Sequence, residues 1–200
     1  GQVCTSPTRF FVHESIFDEY VEAFVKRAAA TVVGNGTEDG VEMGPLANER
    51  RVPMLTGLVE DACAKGATVA TGGAAMDRAG YFMEPTVLVN VPDDARVMQE
   101  EPFGPLAVIN PVASLDEAIE KANSVPFGLA AYGFTNRADY VDQMTNEVEA
   151  GNLSFNTLEA SLPETPFGGV KSSGYGREGG TEGLENYMNI KNISHSMKIV

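Results

Sequence analysis

Three stretches of this chain carry residue types and spacings suited to chemistry. The first is Gly1-Gln2-Val3-Cys4. A thiol attacks carbonyl carbon as its thiolate, and it needs access and electropositive or hydrogen-bonding surroundings to do so. The second, about a hundred residues on, is Glu100-Glu101-Pro102-Phe103-Gly104-Pro105, which ends in a Gly-Pro turn. The third is Pro166-Phe167-Gly168-Gly169-Val170-Lys171. A lone cysteine is more often a small buried residue than a nucleophile, and Cys63, on the apolar side of a helical pattern, reads that way. His13 and His195 lie far apart without ligand spacing, so no metal site is expected.

The elements that must position these stretches alternate between short apolar runs and amphipathic helices. Residues 9–12 read as a strand, and Ser15 with Asp18 forms a capping-box pattern before a helix. Ile16, Phe17, Tyr20, Val21, Phe24, Val25 and Ala28 make its apolar stripe, and Gly34 stops it. The spacing of Leu55, Leu58, Val59, Ala62 and Cys63 predicts a second helix over 48–66 with one buried face. Further strands are read over 68–70, 84–91, 106–109, 130–135 and 151–156. The unbroken apolar run at 106–109 suits a strand covered on both faces. Helices are read over 114–124, with Ser114 and Glu117 as the cap, and over 137–148, with Tyr140, Val141, Met144 and Val148 inward. A short helix is read over 181–187. Such alternation predicts an α/β fold with a mainly parallel sheet between helical layers.

Residues 156–180 break the pattern. They hold six glycines and two prolines with little periodicity, and a stretch of that length without regular structure is usually functional. Its prolines and Phe167 favour an ordered loop. Gly174, Gly176 and Gly179 match the spacing of a dinucleotide fingerprint, but no apolar strand leads in and no acidic residue follows at the required distance. The match is rejected. The last run, 188–200, alternates and contains Ile190, Ile193, Met197, Ile199 and Val200, reading as a terminal strand without a partner in the domain.

Composition narrows the partners. The formal charge of −14 and a pI near 4.5 argue against nucleic acid and anionic membranes, which require clustered Lys and Arg. No apolar stretch reaches the roughly 18 residues that span a bilayer. Two cysteines are too few for a disulfide framework and point to a reducing, cytoplasmic compartment.

Gly-Gln-x-Cys before a strand, Glu-x-Phe-Gly-Pro a hundred residues later and the Pro166–Glu178 loop, in this order, resemble the catalytic domain of the NAD(P)-dependent aldehyde dehydrogenase superfamily over essentially all 200 residues. The resemblance implies a three-layer α/β/α catalytic domain over 1–187 and an oligomerisation strand over 188–200, hence a homo-oligomer. It implies a small aldehyde substrate and NAD or NADP as cofactor. Cys4 would be the catalytic nucleophile, its N–H part of an oxyanion hole. Glu101 would accept from the nicotinamide ribose hydroxyls, with Phe103 packed beside them, and Phe167 would line the substrate tunnel. The wording of 4–12 and 163–187 is similar to the succinate-semialdehyde members, where a serine at the place of Ser161 meets the substrate carboxylate. The family's cofactor-binding fold, general-base glutamate and oxyanion-hole asparagine would all lie before Gly1, so the isolated chain is expected to be inactive.

Two other classes stay open. A cysteine acyl-transferase or hydrolase needs a histidine base, and His13, across a strand from Cys4, is awkwardly placed for it. A non-catalytic assembly module would carry an ordinary, slow thiol at Cys4.

Overall fold

The computed structural model describes residues 1–198. It falls into two units, Gly1–Val125 with Asp142–Val148, and Pro126–Val141 with Glu149–Val200.

The first unit is built on β4 (Leu106–Val112). This run has apolar side chains on both pleat faces, so it sits in the middle of a sheet and needs a helical layer on each side. Strand β1 (Arg9–His13) pairs with it in parallel on one edge, and β3 (Thr86–Val89) in parallel on the other. Outside β3 lies β2 (Thr68–Thr71), antiparallel because no helix separates the two strands and the chain returns directly. Leu88, Leu106 and Val108 point to the layer formed by α2 (Arg51–Ala64) and α3 (Arg96–Gln99), where Leu55 and Leu58 are fully buried. Each buried leucine contributes about 2 kcal/mol of transfer free energy. Val12, Val87, Val89 and Ile109 point to the opposite layer, the Phe17, Tyr20, Val21, Phe24, Val25 and Ala28 stripe of α1 (Phe17–Ala29). This is the expected α/β/α arrangement. Helix α4 (Leu115–Asn123) completes the unit, with Ser114 Oγ accepting from the Glu117 N–H at 3.2 Å.

The second unit holds two small ladders. Strand β5 (Phe127–Gly128) is antiparallel to β8 (Val170–Lys171), and β6 (Ala130–Gly133) is parallel to β7 (Asn152–Phe155). Between β6 and β7 in the chain runs α5 (Ala138–Glu147), which belongs to the first unit from Asp142 onward; α6 (Glu182–Glu185) follows the glycine-rich loop. The sheets are therefore mixed, with three of the five pairings parallel.

Three local expectations are corrected. Ser15 caps nothing: the chain makes a 3-10 turn at Glu14–Ile16, and the Ser15 N–H donates to His13 Nδ1 at 3.2 Å, so α1 begins without a side-chain cap. Cys63 is exposed. At 100° per residue it lies roughly 80° round from Leu55, past the edge of the buried face on which Leu58, Val59 and Ala62 remain. Tyr140, Val141, Met144 and Val148 are half-buried, not core. Residues 188–198 pair with no strand of this chain, which agrees with a run that has no partner inside the domain; Ile199 and Val200 lie outside the described residues.

Candidate active site

Cys4 sits on a tight turn ahead of β1. The Ser6 N–H donates to Val3 O at 2.9 Å, which presents Cys4 at the second turn position with its thiol exposed. Two contacts fix the entry to that turn. Gln2 Oε1 accepts from the Ala47 N–H at 3.0 Å. Gly1 lies so close to the Gly104 carbonyl that a Cβ there would stand 1.8 Å from its oxygen. Gly104 in turn rests on α2: a Cβ on it would fall 2.3 Å from Leu55 Cδ1. Both glycines are where they are because a side chain has no room.

The segment carrying Glu101 and Phe103 is thus pressed between Gly1 and α2, and Arg51, one turn before Leu55, holds it from the side. Arg51 Nη2 donates to Pro102 O and, at 3.2 Å, to Phe103 O. Phe103 is half-buried with φ +44°, a left-handed conformation that costs a non-glycine residue about 1 to 3 kcal/mol. The Glu101 side chain makes no hydrogen bond to the described residues. Partial burial pushes its carboxyl up, and the charge of Arg51 pulls it back. Glu100 is occupied elsewhere, paired to Arg96 through Nε at 2.7 Å and Nη2 at 3.0 Å. The helix turn before it is capped by Asp61, whose Oδ2 accepts from the Arg96 N–H at 2.8 Å. That bond, reinforced by Lys65, holds the Asp61 carboxyl below its ordinary range.

The first unit therefore gathers the Cys4, Glu101 and Phe103 segments at one place. Phe167 and Ser161 belong to the second unit. Phe167 is buried, with 9 % of its surface exposed, and its backbone exchanges hydrogen bonds with Glu178 at 2.7 and 2.8 Å. The glycine-rich loop around it is ordered, as expected, by side chains that reach its carbonyls. Asn152 Nδ2 donates to Leu129 O at 2.7 Å and Gly168 O at 2.9 Å, and Arg177 Nη1 to Gly169 O at 2.9 Å. The Ser173 hydroxyl accepts from the Gly128 N–H at 2.9 Å. Ser161 is exposed, and its neighbours Ala160 and Leu162 line an open hollow of about 310 Å³ together with Ser154, Glu159 and Thr165.

Arg51, Asp61, Asn152 and Arg177 were not singled out from the sequence. Arg51 and Asn152 act through carbonyls that are respectively 51 and 16 to 23 residues away, and no spacing rule exposes a partner at such separations. Among the described residues no group of three His, Cys, Asp or Glu could hold a metal, and no helix is long and apolar enough to cross a membrane.

Known proteins share this sequence and this arrangement. The aldehyde dehydrogenase family model matches residues 1–193. The 4-(hydroxymethyl)benzenesulfonate dehydrogenase TsaD1 of Comamonas testosteroni is 46% identical over 191 residues, covering 96% of this chain and 40% of the relative. Succinate-semialdehyde dehydrogenase [NADP(+)] 1 of Mycobacterium bovis is 41% identical over 193 residues, covering 96% of this chain and 42% of the relative. The Bacillus cereus aldehyde dehydrogenase in its NAD+ complex superimposes with a TM-score of 0.95 at 38% identity, over 99% of this chain and 40% of that one. The succinate-semialdehyde dehydrogenase of Burkholderia pseudomallei gives 0.91 at 42% identity, over 94% and 39%. This chain spans about two fifths of the length of these relatives. The chain belongs to the aldehyde dehydrogenase family.

Proposed function

We propose that this chain is the thiol-bearing portion of an NAD(P)-dependent aldehyde dehydrogenase. The observation that carries the reading is the packing of Gly1 on Gly104, which anchors the Cys4 turn and the Glu101–Phe103 turn to each other. The Cys4 sulfur, as thiolate, forms a C–S bond to the aldehyde carbon, and the carbonyl oxygen takes up the negative charge and then a proton. The Cys4 N–H, which the turn's closing bond leaves unused, is placed to donate to that oxygen. Glu101 and Phe103 suit a ribose: both carboxylate oxygens are left to accept from two vicinal hydroxyls, beside a ring for the sugar's apolar face. When bound, the nicotinamide cofactor supplies the hydride acceptor; the Cys4 thiohemiacetal gives up its carbon-bound hydrogen as hydride and its hydroxyl proton to water, which leaves a thioester. Water then cleaves the C–S bond, releasing a carboxylic acid and returning the thiol.

The test is Cys4→Ser in the active enzyme. Loss of aldehyde oxidation by on the order of 10⁴-fold or more is expected, with an acyl adduct on the Cys4 peptide in acid-quenched wild type. Wild-type turnover by the serine variant sinks the proposal. The isolated chain is expected to give no NAD(P)+ reduction with any aldehyde.

The substrate class we infer is a semialdehyde. Support comes from the succinate-semialdehyde dehydrogenases among the relatives and from the exposure of Ser161 on the loop before Phe167. Ser161→Ala should raise KM for a carboxylate-bearing aldehyde while leaving that for a neutral aldehyde of equal length unchanged. Residues 188–198 carry exposed Met188, Ile190, Ile193 and Met197, and such a run is suited to pairing with a second copy. A solution mass of 21.3 kDa, one chain, would count against that association.

A further inference from the structure

We infer that Arg51 is a positioning residue, clamping the Pro102–Phe103 backbone so that Glu101 and Phe103 are set for the cofactor ribose before it arrives. This rests on the proposed function and goes beyond it to a residue that acts through the backbone carbonyls of Pro102 and Phe103.

Arg51 is retained against several unfavourable circumstances. It stands in the first turn of the 14-residue helix α2, with Arg50 before it, where the helix dipole opposes positive charge. Its Nε is buried and has no hydrogen-bond partner among the described residues, and the same holds for Asn48 Oδ1 one turn away. Orphaned buried polar atoms are rare in native proteins and call for a reason. An apolar side chain of similar length would avoid both problems. What an apolar side chain could not offer is a cationic donor, and one guanidinium nitrogen, Nη2, meets two successive carbonyls, Pro102 O and Phe103 O. Those carbonyls flank the one residue of the segment with a left-handed backbone, Phe103. Such a conformation persists when its surroundings over-determine it. Leu55 presses on Gly104 from below and Arg51 grips the carbonyls from the side, so α2 supplies both constraints. The positive charge near Glu101 also favours its ionised, doubly accepting form.

The test is Arg51→Met, with Arg51→Lys beside it, in the active enzyme. In cofactor-free protein, amide exchange at Glu101, Phe103 and Gly104 should speed up by about tenfold or more, the worth of a charge-assisted hydrogen bond, while exchange in β4 stays as it was. Affinity for NAD(P)+ should weaken by a similar factor, KM for aldehyde should not move, and the melting temperature should fall only slightly, because loss of the orphaned Nε offsets part of the lost bonds. Lysine, which keeps a cationic donor but on a different stem and without the planar guanidinium, should recover only part. Combining Arg51→Met with Glu101→Ala should weaken cofactor binding by clearly less than the sum of the two single losses. Unchanged exchange at Glu101, Phe103 and Gly104, or fully additive losses, would overturn the inference. A Glu101→Ala variant with normal cofactor affinity would instead show that the ribose reading had failed.

Discussion

The two units hold their functional segments by different physics. In the first, the loop with Glu101 and Phe103 lies on a hydrophobic layer, and its glycine is pressed directly onto the fully buried Leu55. In the second, Phe167 is the buried large hydrophobic among the described residues, and the glycine-rich loop is held by Asn152, Arg177 and Ser173 acting on backbone groups. A core fixes position through close packing, which punishes any change of volume. A hydrogen-bonded loop fixes it through a few directional contacts, each exchangeable with water when opened. The first design suits a segment whose position must be set beforehand, and the second a loop that can adjust.

The contrast is open to direct attack, beginning with the largest effect. Leu55→Ala removes the support under Gly104 and should cost about 3 kcal/mol by urea unfolding. Cofactor affinity should fall with it, since the Gly104 turn loses its floor. Full stability would mean that the layer is not what holds the loop. Gly104→Ala acts at the same contact from the other side. Its Cβ would meet Leu55 Cδ1 at 2.3 Å, and overpacking of this kind costs about 2 kcal/mol. The double substitution should be milder than the sum, because the cavity left by alanine at 55 accepts the new methyl.

For the second unit the corresponding change is Asn152→Ala. Gly168 O loses its donor, whereas Leu129 O keeps the bond from the Asn152 N–H at 3.0 Å. The expected loss is about 1 to 2 kcal/mol, seen as faster amide exchange over 167–178. A cost equal to that of Leu55→Ala would erase the difference between the two units.

The same contrast governs how much the sequence discloses. Periodicity places Leu55, Leu58, Val59 and Ala62 on one buried face and identifies the central strand at 106–109, because a layered core imprints its geometry on neighbouring residues. Cys63 is misplaced by it, since the rule fixes the centre of a helix face better than its edge. Ser15 fails because capping competes with a local bond to His13. The short strands β5 and β8, two residues each, leave no periodic trace at all. Cys4, Glu101 and Phe103 stand out through their motifs, but Arg51 and Asn152 do not: a side chain that grips a distant carbonyl depends on where the chain folds, and two-residue separations say nothing of it.

The smallest effect concerns Asp61, which secures the helical turn leading into Glu101. Its carboxyl lies below the ordinary aspartate range in the folded chain, chiefly because the Arg96 N–H donates to it. An acid with a lowered folded pKa stabilises the fold in its ionised form. That contribution is complete above the unfolded pKa and disappears as pH falls through the lower, folded value. Asp61→Asn keeps an oxygen for the Arg96 N–H but has no charge to lose. Wild type should therefore melt slightly higher than the variant at neutral pH, by an amount that stays level down to mildly acidic solution. The two curves should then converge as pH drops beneath the usual aspartate pKa of about 3.9. Melting temperatures that differ by the same amount across the whole range would show that shape, not charge, is what Asp61 contributes at the start of α3.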